Sequence, residues 1–269
     1  MGKVFTVAMH KGGVGKTSLL TNIVGALNVT EPSKKILILD TDGQANSAMA
    51  FGLSTKKFET GTHNLFMQNK NIKECIYNIS ENIDLIPATD EMDFIEFDVL
   101  MDKDLRKEPF SLLDKAIEEI KDSYDYIFVD TPPSLSLIMG NALKIADEVI
   151  IPFQPEPFGV RGIKKIIETI AELGQAFEKK VKILGVVGML VDRRTELHSV
   201  LLADARKFCD KNDIKMFETV IPKSIRFANA TAFEGKPATM IEKRHELIDA
   251  YYSLLEEILE EVKVGVTNG

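Results

Sequence analysis

Short, continuously apolar runs punctuate the chain at residues 4–9, 35–40, 83–87, 126–130, 148–152, 182–191 and 215–221. A strand with one face in water alternates apolar and polar residues, and these runs do not, so both of their faces are expected to be covered. Between them lie segments of helical spacing, at 17–27, 164–177, 197–211 and 247–262. Buried strands alternating with crossover-length helices predict a doubly wound α/β fold, a mostly parallel central sheet flanked by helices. The ligand site of such a sheet lies outside the carboxyl ends of its strands. With 269 residues and no Pro/Gly/Ser-rich linker or internal repeat, the expectation is a single domain over 1–269, with a C-terminal helix at about 240–263 packed on it. The charged stretch 101–108 reads as a solvated loop, and residues 51–81 carry no chemical argument.

The first run leads into His10-Lys11-Gly12-Gly13-Val14-Gly15-Lys16-Thr17-Ser18. Strand, glycine-rich loop and helix in that order make a phosphate cradle: glycines clear the way between backbone N–H groups and an anion, and the helix N-terminus attracts it. Lys16 has the place that reaches β- and γ-phosphates, and Thr17 the place whose hydroxyl meets Mg²⁺. His10 stands where the usual P-loop has its first glycine, and Lys11 is an additional cation.

Two other strands end in acids. The run 36–39 continues into Asp40-Thr41-Asp42, and if the chain stays extended both carboxylates face the phosphate site, one near Mg²⁺ and one near the attacking water. The run 126–129 ends in Asp130-Thr131-Pro132-Pro133, with Asp130 placed to hold Mg²⁺ and the prolines stiffening the segment after it.

Together these motifs resemble the deviant Walker A ATPases, the group of ParA partition ATPases and MinD division-site ATPases, over nearly the whole chain. The resemblance is to the short ParA form that lacks an N-terminal helix-turn-helix, and it implies a P-loop NTPase-type fold and an ATPase with weak intrinsic turnover that uses ATP and Mg²⁺. It implies that Lys11 reaches the phosphates of the other subunit in an ATP-bound homodimer. Lys11, Gly12, Gly13, Val14, Gly15, Lys16, Thr17 and Ser18 then hold the nucleotide. Thr17, Asp40 and Asp130 serve the metal, and Lys11, Lys16 and Asp42 act in hydrolysis, Asp42 orienting the water. Pro222 and Ser224 match the positions that touch adenine, where Ser224 replaces the commoner Asn.

The net charge of −8 leaves room only for a local basic patch. Arg193 and Arg194 come after the run 182–191, and Lys223 and Arg226 after the run 215–221. By the same resemblance Arg194 and Arg226 contact non-specific double-stranded DNA, assisted by Arg193 and Lys223; the alternative is that these cations pair with the chain's own carboxylates. The implied partners are a homodimer, DNA and a centromere-binding protein of the ParB kind, in a cytoplasmic, nucleoid-associated protein acting in plasmid or chromosome segregation. A MinD-like or other cargo-positioning ATPase at a membrane or protein surface is the alternative. Glu256, Glu257, Glu260 and Glu261 make the C-terminal helix unsuited to anionic lipid, and its apolar stripe reads instead as core or dimer face. No run reaches a membrane span, the early start of the first strand gives the expectation of no leader and no appended module, and Cys75 and Cys209 lack metal-ligand spacing.

Overall fold

A computed structural model describes residues 2–224, 227, 233–241 and 246–267. Arg226, which the family resemblance assigns to DNA, lies outside the described residues. The strands are β1 (Lys3–Val7), β2 (Ile36–Asp40), β3 (Tyr77–Ser80), β4 (Ile83–Ile86), β5 (Tyr126–Asp130), β6 (Glu148–Phe153), β7 (Lys182–Val191) and β8 (Met216–Pro222). The helices are α1 (Lys16–Thr30), α2 (Asn46–Ala50), α3 (Thr62–Phe66), α4 (Ile95–Met101), α5 (Asp114–Ile120), α6 (Leu137–Ile145), α7 (Gly159–Ala176), α8 (Glu196–Lys211) and α9 (Glu246–Thr267). Eight strands form one sheet in the order β3-β4-β2-β5-β1-β6-β7-β8. All pairs are parallel except β3 with β4.

The apolar runs therefore form the parallel strands expected of them. β2 and β6 are buried at every position, as strands covered on both faces must be. The antiparallel edge strand β3 was not legible. Its Tyr-Asn-Ile-Ser sequence is short, polar and only half-buried, so no periodic signal marks it. The stretch 101–108 is not wholly solvated either, because Leu105 is buried in the cluster that packs beneath α4 and α5.

α1 is covered all round, by the sheet on one side and by the 3₁₀ turn Ala238–Met240 and α9 on the other. Asn22 on α1 accepts the Thr239 amide at its Oδ1 (3.3 Å) and the Thr239 hydroxyl at its carbonyl (2.8 Å), and Tyr252 of α9 donates to the Thr239 carbonyl (2.7 Å). Gly25 is where the turn comes nearest, and a Cβ there would collide with Thr239 Oγ1 and Met240 Cγ. Gly25→Val is expected to cost about 1–3 kcal/mol by overpacking, seen as a lower urea midpoint at unchanged slope.

The stripe on α9 is core: Leu254, Leu255 and Ile258 are buried against α1 and the sheet, and Leu259 and Val262 pack on them. Two of its acids face inward to the sheet edge. Glu257 accepts the Glu218 and Thr219 amides (2.8 Å each), and Glu261 pairs with Lys215 (2.8 Å).

Candidate nucleotide site

β1 is central in the sheet, between β5 and β6, so the loop leaving its carboxyl end meets the loops after β2 and β5. Gly13 and Gly15 take left-handed backbone at φ 73° and 86°, which L side chains rarely adopt. Open space surrounds the Gly13 Cα where a Cβ would stand. Gly15 opens α1 with no side-chain cap, so the first N–H groups of the helix remain available to an anion. Lys16 is buried, its Nζ 3.4 Å from the carbonyls of Met9 and Lys11. Burial pulls its ammonium below the usual range, and the charges of Asp130 and Asp42 oppose that.

Asp40 and Asp130 are register partners at the ends of β2 and β5, and both are completely buried. Their environments differ. Asp40 Oδ1 accepts the Asp42 amide (3.1 Å) and Oδ2 the Ser47 amide (3.0 Å). Asp130 Oδ2 accepts the hydroxyls of Thr17 (2.6 Å) and Ser47 (3.3 Å), while its Oδ1 is buried without a partner. Burial pushes Asp40 well above the carboxylate range, reinforced by the Asp130 charge. Burial likewise lifts Asp130, to about 6, against the pull of the Thr17 hydroxyl and the Lys16 ammonium.

A divalent cation fits this donor set. One buried, unpartnered carboxylate oxygen beside a threonine hydroxyl is what a hard cation takes, and it would relieve the crowding of two acids. The extension assumed beyond Asp40 does not occur. The chain turns there, so Asp40 faces its own loop and anchors α2 through Ser47, whereas Asp42 is half-exposed with Oδ1 accepting the Gln44 amide (3.1 Å).

Lys11 forms an ion pair with Glu156, on the loop after β6. His10 Nε2 contacts Thr169 Oγ1 of α7 (3.1 Å). Neither Glu156 nor Ser47 was singled out from sequence. Glu156 comes after a buried strand, so the rule that found Asp40 and Asp130 also reaches it; Ser47 gives no signal, because its role depends on the turn at Asp40.

The strands that lead into the two basic loops end side by side. Val191 pairs with Pro222, and the Lys223 amide donates to the Val191 carbonyl (3.0 Å), so 193–194 and 223 leave adjacent strand ends. Arg193 and Lys223 are exposed. Arg194 lies in a two-pronged pair with Asp192, Nε to Oδ1 at 2.9 Å and Nη2 to Oδ2 at 2.8 Å, which holds that carboxyl below its usual range. His198 Nδ1 accepts the Asp192 amide (3.0 Å) and ties the loop to α8. Pro222 is the last residue of β8, and Ser224 stands two positions beyond it.

A family model described as an AAA domain matches residues 2–183. The sporulation initiation inhibitor protein Soj of Bacillus subtilis is 30% identical over 261 residues, 96% of this chain and 98% of Soj. The chromosome partitioning protein ParA of Caulobacter vibrioides is 29% identical over 96% of this chain and 94% of its own. This chain belongs to the ParA family. Its fold extends further: a cobyrinic acid a,c-diamide synthase from Mycobacterium smegmatis with bound ADP and magnesium superposes at TM-score 0.82 and 25% identity, covering 98% of this ParA-family chain and 97% of the synthase. Among the described residues no helix is long and apolar enough to cross a membrane, and no group of three or more His, Cys, Asp and Glu side chains is arranged to hold a metal ion by itself.

Proposed function

We propose that this ParA-family chain is a Mg²⁺-dependent DNA-partition ATPase, cycling between an ATP-bound homodimer on nucleoid DNA and a separated ADP form. The observation that carries the nucleotide half is the unpartnered Asp130 Oδ1 next to the Thr17 hydroxyl, below the uncapped start of α1. In this reading residues 11–18 cradle the phosphates and Lys16 lies along them. Thr17 and Asp130 hold Mg²⁺, which when bound neutralises phosphate charge. Asp40 shapes the loop that carries Asp42, Asp42 orients the attacking water, and Pro222 and Ser224 border the base. Lys11 leaves Glu156 for the phosphates of the other subunit, so dimerisation and ATP occupancy are coupled.

The DNA half is supported by the exposed cations on two adjacent strand ends and by the full-length similarity to chromosome partitioning proteins. Arg194 exchanges Asp192 for a phosphate, with Arg193 and Lys223 beside it, and Arg226 contacts DNA as the family resemblance implies. A ParB-type centromere-binding protein stimulates hydrolysis, in the cytoplasm, and the ADP form releases DNA. α9 keeps its apolar stripe in the core, which disfavours the membrane-surface alternative.

The test is binding of random-sequence duplex DNA with ADP and with ATP. Binding is expected only with ATP, and Arg194→Ala/Arg226→Ala is expected to weaken it ~10-fold or more, the salt slope falling by about 1 for each lost phosphate contact. ATP-dependent dimers that never bind DNA would overturn the partition reading.

A further inference from the structure

Lys121, Lys144 and Lys179 come shortly before β5, β6 and β7, so they gather at the amino ends of the strands, opposite the nucleotide site. Together with Asp114, Glu118 and the Phe177 ring they line an open cavity of about 180 Å³. The three are held differently. Lys121 pairs with Asp147 (3.0 Å) and Lys144 with Asp114 (2.8 Å), and the Lys144 ammonium also stands 5.6 Å from the centre of the Phe177 ring. Lys179 instead donates to the Lys144 carbonyl (2.6 Å), at the carboxyl end of α6.

That difference decides which of them can act as an amine. A carboxylate partner holds a lysine as ammonium, whereas a carbonyl also accepts from a neutral amine and leaves the nitrogen lone pair free. Burial pulls the Lys179 ammonium below its ordinary range, the charges of Asp147 and Asp114 opposing and those of Lys121 and Lys144 adding to the pull. The backbone fixes where the side chain starts. After α7 the chain turns back through Glu178 at φ 51°, and the Lys179 amide donates to the Gly174 carbonyl (2.9 Å). A half-buried lysine beside other cations, on the wall of an open cavity, is in the setting that makes a lysine nucleophilic.

We propose that Lys179 is a covalent modification site, taking an acyl group from a small acyl phosphate in the cavity it shares with Lys121 and Lys144. The neutral amine attacks the carbonyl carbon of the donor, and the new N–C bond replaces the C–O bond to phosphate. Phosphate leaves with that electron pair, the nitrogen gives its surplus proton to water, and nothing is oxidised or reduced. Three lysines against two carboxylates leave the lining net positive, so Lys121 and Lys144 offer the departing phosphate its countercharge. The small volume admits a short acyl chain. Acylation removes the cation that donates to the carboxyl end of α6, where positive charge stabilises a helix. The inference goes beyond the ATPase reading and does not depend on it.

The test is incubation of the full chain with acetyl phosphate, with acetyl occupancy at every lysine followed over time by peptide mass spectrometry. Lys179 is expected to react ~10-fold or more faster than the exposed Lys56, Lys103 and Lys207, and to lose that lead in urea, where the cavity is gone. Sulfate is expected to slow the reaction at Lys179 and to leave the exposed lysines unchanged. S-acetyl-N-acetylcysteamine, a thioester without phosphate, is expected to show a smaller preference for Lys179. Equal rates at Lys179 and the exposed lysines in the folded chain overturn the proposal, and so does a lead that survives in urea. Failure of sulfate to protect, or an equal preference with the thioester, overturns the assignment of an acyl phosphate. All of these rates are read on the wild-type protein without nucleotide, so their failure stays distinct from a failure to hydrolyse ATP.

Discussion

Asp42→Ala is expected to bind Mg·ATP and to hydrolyse it at least ~100-fold more slowly. Asp42 is half-exposed, and its carboxylate accepts the Gln44 amide; the contact that anchors the loop to Asp40 is made by the Asp42 backbone, which alanine keeps. Loss of the carboxylate therefore leaves the cradle and the buried acid pair in place. In the proposed mechanism, what disappears is the group that orients the attacking water. Single-turnover hydrolysis beside equilibrium binding of ATP separates the two effects. A normal hydrolysis rate would remove Asp42 from the mechanism, and lost ATP binding would make it part of the cradle. In the proposed partition cycle the variant is expected to accumulate the DNA-bound state.

Asp130→Asn is expected to raise the stability of the nucleotide-free, Mg²⁺-free protein near pH 7 and to reduce Mg²⁺-dependent turnover ~100-fold or more. Burial sets the sign of the stability change: it raises Asp130 from 3.8 to about 6, so the fold favours the protonated form. The stabilisation from that preference is present below the unfolded value and is lost as pH rises through the folded one. A shift of about 2 units corresponds to up to ~3 kcal/mol at neutral pH. Asparagine has the same shape and no charge, so its advantage should be largest above about pH 6 and vanish near pH 4. Thermal melts of both proteins across that range test it. Mg²⁺ should raise the melting point of wild type alone. A variant less stable than wild type at pH 7 would show that the pair already carries its charge without strain.

The cradle, the Walker-type acids and the parallel sheet were legible because each is written locally. Continuous apolar runs mark strands buried on both faces, and Gly13 and Gly15 occupy backbone that other residues avoid. The less legible parts depend on what lies across the fold. Asp40 and Asp42 look equivalent in sequence, and only the turn after β2 makes one an internal anchor and leaves the other half-exposed. Glu156 acquires meaning from Lys11, which is remote in sequence. β3 owes its place to pairing with β4 at the sheet edge, since its own residues carry no strand periodicity. The exposed stripe of α4 reads in sequence like any amphipathic helix, because the pattern does not say that Phe94 and Phe97 rather than Ile95 and Val99 face outward.

The all-round burial of α1 has a consequence for how the protein is made. Its sheet-facing side can pack early in synthesis, but the other side waits for the 3₁₀ turn at Ala238–Met240 and for Tyr251, Leu254, Leu255 and Ile258 on α9. The Tyr251 hydroxyl even approaches Ser18, at the phosphate loop, to 3.4 Å. A nascent chain released before residue 246 would leave α1 half bare and its loop without that support. The first motif translated thus becomes competent among the last, and a prematurely terminated product would expose the apolar side of α1, the kind of surface that proteolysis acts on.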